Sequence, residues 1–376
     1  MPGNGALVVT QGFANAGVVN LTGPLTGITG GPIANSGTLQ GAGNVGAAVS
    51  NSGTVEAIGG TLILTQPLTN SGRIAAGSGA KLLAQGGLAA NNGLIVIGGG
   101  TFDAAGPLNN SGQITGWGSF SSGGLTNNGV ISLTGGVTQL SGGVTNSAGH
   151  TIQVAYNPAT FTGAVINNGS FHTVSTTVVF AAGFTNNGVL ASDPATLRFT
   201  DLAVGPAGVV TAAAGDLFDV IGSFVNLSTQ ASSWDTHGAS LLFHGAGNQS
   251  FVLAGRDVGA DGAGYQANFA WARVEIAAGT GLTLSAAAAG QRGALYTGAF
   301  VLDGGLNQIA ALHSAANIYY DPAIADNGYL GGATYALNGG GTLAPVPEPA
   351  SWALLTVGAL VLLRRLRGRI IEPELS

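Results

Sequence analysis

The chain has 376 residues, of which 66 are Gly and none is Cys; only 7% are charged, 45% are hydrophobic, and the net charge is -6. Disulfides and thiolate metal sites are therefore excluded, and no basic patch offers itself to nucleic acid. So little charge combined with so much apolar content also excludes ordinary disorder.

The N-terminal stretch, residues 1–14, has no basic cluster before Arg73 and no apolar run suited to a secretory signal. The expectation is that the natural N-terminus lies upstream. An in-frame stop codon just before Met1 would sink it.

A repeat begins almost at once. An Asn-x-Gly turn opens at Asn15, Asn35, Asn51, Asn70, Asn91, Asn110, Asn127, Asn146, Asn167 and Asn186, at intervals of 16 to 21 residues that average 19. The copy at Asn146 carries one extra residue, reading Asn146-Ser147-Ala148-Gly149. In most copies an apolar residue stands two places before the Asn, as at Phe13, Ile33, Leu68, Leu125 and Phe184. Another stands two places after the Gly, as at Leu39, Val55, Ile74, Ile114 and Phe171. A further β-prone run lies mid-repeat, as in Leu62-Ile63-Leu64 and Val178-Val179-Phe180.

Asn and Gly tolerate positive φ, so the pair suits a tight corner. The flanking alternation suits strands. A unit of this length cannot close a core alone but buries one when stacked on its neighbours. The fold class expected is all-β: a parallel β-helix, right-handed like other parallel crossovers, one coil per repeat. Ten coils at about 4.8 Å would form a rod on the order of 50 Å long. A hairpin-based fold is the competitor, but hairpins would bring a turn about every 8–12 residues. The Asn column either stacks its side-chain amides from coil to coil or serves backbone geometry only, and the sequence leaves both open. The division expected is 1–204 for the repeats, 205–343 for an irregular β region closing the solenoid, and 344–376 for a C-terminal signal.

Past Asn186 the period fades, and acidic and aromatic residues rise. Asp235 and His237 with His244, and Asp257 and Asp261 with Gly262, are weak metal candidates that lack ligand spacing. Gly262-Ala263-Gly264-Tyr265-Gln266-Ala267 fits a loose dinucleotide pattern without its strand–helix setting. Glycoside cleavage needs two carboxylates in one cleft. The recognisable coils offer only Glu56, Asp103 and Asp193, two or more coils apart. No catalytic, cofactor-binding or metal-binding residue is assigned, and no enzyme activity is expected. A β-helical polysaccharide lyase or hydrolase is the alternative.

The segments 316–322, 328–332 and 335–337, with Tyr319, Tyr320, Tyr329 and Tyr335, resemble the closing part of filamentous-haemagglutinin-like surface repeat proteins, and the Asn-x-Gly coils resemble those families too. The resemblance implies a secreted β-helical surface protein or adhesin and names no binding residue. Ordinary packing of a terminal strand is the plainer account of Tyr319 and Tyr320.

The C-terminal end reads Pro347-Glu348-Pro349, then an apolar run opening on Trp352, then Arg364, Arg365 and Arg367. The prolines mark an accessible linker. The apolar run 350–363 has 14 residues, short for a full span. Even so, it is expected to insert transiently as a transmembrane helix, with the arginines cytoplasmic and the body outside. This order resembles the PEP-CTERM sorting signal. The resemblance implies processing by an exosortase-type protease and delivery to the cell surface, with transient inner-membrane anchoring. Exopolysaccharide or other surface molecules are the further partners it suggests, and nucleic acid is not one.

Overall fold

The computed structural model describes residues 5–347, apart from residues 289 and 291. They form a parallel β-solenoid. The coil containing Leu68–Asn70, Arg73–Ala76 and Lys81–Ala84 shows its plan. Three short strands lie head to tail around a core, and each pairs in parallel with its counterpart in the coils above and below. Among the described strands only Tyr335–Ala336 and Thr342–Pro345 pair antiparallel. The hairpin alternative is thereby set aside.

Register follows the repeat. The residue after the turn forms a column running Val19, Leu39, Val55, Ile74, Ile95, Ile114, Ile131, Ile152, Phe171, Leu190, Val210. The mid-repeat column runs Leu62, Leu82, Phe102, Phe120, Leu140, Phe161, Phe180, Phe199. Its phenylalanines stack where they are adjacent, at ring separations of 5.3, 5.5 and 5.0 Å. Parallel in-register pairing puts like on like, so each column is one continuous strip of buried apolar surface.

The asparagines form a third column, and every one from Asn35 to Asn186 is at most 2% exposed. Each Nδ2 donates to the Oδ1 of the next, from Asn15 through Asn186, at 2.7–2.8 Å. Of the two roles the sequence left open, the amide ladder is the one seen, and backbone geometry is not its alternative. No ladder asparagine has positive φ; among the described non-Gly residues only Tyr156, Ser175, Ala267 and Phe269 do. Nor do the turn glycines Gly53, Gly72, Gly93, Gly112 and Gly129. They are required for another reason: a Cβ on any of them would fall 2.0–2.2 Å from a carbonyl oxygen of the previous coil. The corner is tight between coils rather than within one.

The ladder stops where Val204 stands opposite Asn186. The parallel stacking does not stop there. The pre-turn column continues from Phe184 through Leu202, Phe224, Phe251 and Leu284 to Ser314. One buried apolar cluster runs from Leu21 to Leu343. Two carboxylates take over part of the coil-to-coil bonding. Buried Asp216 accepts from the Ala195 and Ala213 amides, at 2.6 and 2.7 Å, and from the Ser192 hydroxyl. Buried Asp219 accepts from Arg198 Nε at 2.8 Å and meets His244 Nδ1 on its other oxygen.

The expectation of a transmembrane helix needs correction, and with it transient membrane insertion and inner-membrane anchoring. No helix among the described residues is long and apolar enough to cross a membrane. Residues 350–363 themselves lie outside the described residues.

Candidate functional site

The last coil brings the end of the solenoid and the start of the C-terminal signal together. Asn317–Tyr320 pairs in parallel with Ala294–Leu302 on one side and with Thr342–Pro345 on the other. Tyr296 and Tyr319 occupy the same column, so their rings stack at 4.8 Å, with Tyr265 edge-on to Tyr296 at 5.8 Å. Ala344 and Val346 are buried in the same small cluster, with Ala270 and Ala294. The Val346 amide donates to the Tyr320 carbonyl at 2.8 Å, and Pro347 is exposed. An accessible linker was expected from residue 344. Instead the chain stays docked through Val346, because Val346 has an apolar socket and its amide a partner.

Every hydroxyl of this cluster is used. Tyr296 donates to the Gly259 carbonyl at 2.7 Å and accepts from the Val258 amide at 3.1 Å. Tyr319 donates to Asp257 at 3.0 Å. Tyr320 donates to the Ala333 carbonyl at 2.9 Å. Tyr329 donates to the Phe300 carbonyl at 2.9 Å, and burial pushes its phenol up to about 12. Burial likewise raises Tyr265, Tyr296, Tyr319 and Tyr320. Groups satisfied and held neutral in this way are packing elements, so the plainer account of Tyr319 and Tyr320 fits what is seen.

Residues 345–368 match the PEP-CTERM protein-sorting motif. The sorting motif thus begins inside the last strand, and its first residues are part of the folded body. Glu348, Pro349, Trp352, Arg364, Arg365 and Arg367 lie outside the described residues. The protein is a secreted, surface-sorted β-solenoid and an exosortase substrate on the strength of this motif. No curated protein and no solved structure matches the chain.

The remaining candidate residues do not converge. His237 pairs with Asp235 and with the Tyr265 carbonyl, whereas His244 pairs with Asp219. Asp257 takes Tyr319 and Asn317, while Asp261 accepts from the Ala263 amide at 2.8 Å and caps the short 3-10 turn Gly262–Tyr265. The Gly-x-Gly pattern there has a packing cause: a Cβ on Gly264 would lie 1.9 Å from the Tyr296 ring. Among the described residues no three His, Asp or Glu side chains gather as a metal site would need. Glu56 pairs with Arg73, and Asp103 with Lys81, each at 3.6 Å. Glu56 sits on the strand after the turn and Asp103 on the mid-repeat strand, so they face no common cleft. Sequence reasoning passed over Arg273, which meets both Glu275 and Asp326. Burial, and then Glu275, raise the nearby Asp303 carboxyl.

Proposed function

We propose that the protein is a non-catalytic structural or adhesin-like component of the cell envelope or exopolysaccharide matrix. One observation carries the reading. The coil stack runs unbroken from Phe13 to the last coil, and the sorting motif starts on that coil. A rod of stacked coils offers many equivalent polar surfaces, so weak contacts can add by avidity without a single strong site. The likeness to filamentous-haemagglutinin-like repeats belongs to this proposal, and so does a right-handed coil. Deletion of the gene in the native host is the test. Loss of surface attachment, of matrix retention or of aggregation is expected, and a deletion strain unchanged in all three would overturn the reading.

A carbohydrate-active enzyme is the second reading. It draws on the carboxylates Glu275, Asp303 and Asp326 around Arg273, since glycoside cleavage uses paired carboxylates with separated protonation. Incubation with the host exopolysaccharide decides it. New reducing ends or unsaturated products support the enzyme, and their absence removes it.

A further inference from the structure

Cations are scarce in this chain, and most of the described ones are paired. Arg73, Lys81, Arg198 and Arg273 each hold an ion pair with a carboxylate. Among the described residues Arg256 and Arg292 hold none. Both are exposed, and both line one cleft of about 570 Å³ together with Ser228, Thr229, Asn268 and Phe269. The nearest acid in sequence, Asp257, accepts instead from Tyr319 at 3.0 Å and from Asn317 Nδ2 at 2.8 Å, both neutral donors.

Backbone hydrogen bonds fix the chain at both arginines. Arg256 bridges Gly293 antiparallel, the Asp257 amide donates to the Arg292 carbonyl at 3.2 Å, and the Ala294 amide to the Gly255 carbonyl at 3.1 Å. Buried Asn268 gives its whole amide to Arg256: Oδ1 accepts from the Arg256 amide at 2.7 Å, and Nδ2 donates to the Arg256 carbonyl at 2.9 Å. The residues on either side of Asn268 hold positive φ, 46° at Ala267 and 59° at Phe269. That conformation is unfavourable for residues with a Cβ and persists only where the surroundings enforce it. Phe269 is half-buried against Trp234 at 5.2 Å.

We propose that this cleft binds the carboxylate of an acidic sugar, as part of a uronate-bearing glycan. A guanidinium offers a planar fork that matches a carboxylate with two parallel hydrogen bonds. Two guanidiniums without a carboxylate partner border the cleft and supply the charge, and the half-buried Phe269 ring supplies the apolar contact a pyranose presents. The volume lies in the range of small-molecule sites and leaves room beyond the anion itself. The proposal deepens the matrix-adhesion reading and rests on it for the source of the glycan.

Calorimetric titration of the full chain with trigalacturonate tests the site, with its neutral methyl ester and inorganic phosphate as comparisons. Trigalacturonate should bind, and the ester and phosphate should each bind at least about ten-fold more weakly. Arg256→Gln and Arg292→Gln should each weaken trigalacturonate about ten-fold, while Arg73→Gln on a distant coil should leave it unchanged. Thermal unfolding of each variant separates loss of the site from loss of the fold. Ester binding equal to the acid, binding that survives in the double variant, or no binding of trigalacturonate would each overturn the proposal. Phosphate binding as tight as trigalacturonate would mean a simple anion hole and would overturn the sugar. A chain that ignores trigalacturonate while the deletion strain still loses matrix retention would sink the site and leave the function standing.

Discussion

A buried amide is costly unless both of its ends are met, and the asparagine column meets them by repetition. Removing one member takes the asparagine partner from the amide on each side of it. Asn127→Ala should leave Asn146 Oδ1 without its donor and Asn110 Nδ2 with only its longer bonds to the Gly112 and Val130 carbonyls, and cost about 2–4 kcal/mol, read as a lowered midpoint in urea unfolding. Asn127→Asp should cost more, because a carboxylate would face the Asn146 oxygen with no donor to offer it. A midpoint unmoved by either change would show the ladder to be decoration. The spacing of the column was legible in the sequence, which left its cause open between amide stacking and backbone geometry, while the turn glycine was read as positive φ. Glycine has two capacities, positive φ and the absence of Cβ, and a sequence does not say which is in use. Here it is the second. A different residue-scale consequence attaches to His237, whose Nε2 meets the Tyr265 carbonyl and whose Nδ1 meets Asp235. The Tyr265 carbonyl raises its pKa most, burial opposes, and Asp235 adds to the rise. A raised pKa means the contribution is full below the unfolded value of about 6.5 and is lost as pH climbs through the folded one. The segment 257–268 should therefore lose amide protection above neutrality, after correction for intrinsic exchange. His237→Asn should abolish that pH dependence, and a dependence that survives the substitution would belong to another group.

At the scale of the element, the closing strand is the place where fold and sorting meet. Val346 is buried, and its amide is bonded to Tyr320, yet among the described residues its strand has a coil on one side only, with the other edge covered by Tyr335–Ala336 at Thr342 and Leu343. In a stack where each coil touches only its neighbours, the end coil opens most easily. Val346→Ala should cost about 1–2 kcal/mol locally. It should speed hydrogen exchange across 342–346 and proteolysis near Pro347, while the global unfolding midpoint barely moves. Unchanged protection there would mean the strand is held by something other than the tyrosine cluster. The sequence announced this region poorly. Past Asn186 the corners lengthen, so the period vanishes although the inward columns persist. Leu197, Phe218, Leu241, Val274 and Phe300 share one column at separations of 21 to 33 residues. Alternation within each short strand survives, but spacing between strands no longer identifies partners. The arginine cleft was hidden for the same reason, since it joins segments around 228, 256, 268 and 292 that no pattern links.

For the whole molecule, a one-dimensional stack predicts that the unit of tolerance is the coil and not the residue. Asn70 pairs with Asn91, and Asn91 with Asn110. Excising residues 91–109 would therefore bring Asn110 directly onto Asn70, Gln113 onto Arg73 and Ser119 onto Lys81. The post-turn and mid-repeat columns would close across the cut with an apolar residue on an apolar residue, Ile114 on Ile74 and Phe120 on Leu82, and Leu125 would take the place of Leu108 over the retained segment that ends at Ala90. The shortened chain should fold with the same β-sheet circular dichroism and a somewhat lower unfolding midpoint, since one neighbour interface is lost. Deleting Val96 alone removes far less chain but should do more damage. Ile95 and Ile97 both point inward around it, so the deletion moves Ile97 to the outward phase. The coil must then either expose a fully buried side chain or slip against both neighbours, at about 2–4 kcal/mol or more. Unfolding curves of the two deletions decide between these pictures. If the whole-coil excision were the more destabilising, stability would reside in the particular contacts of that coil, and a stack of interchangeable coils would be the wrong description of the rod.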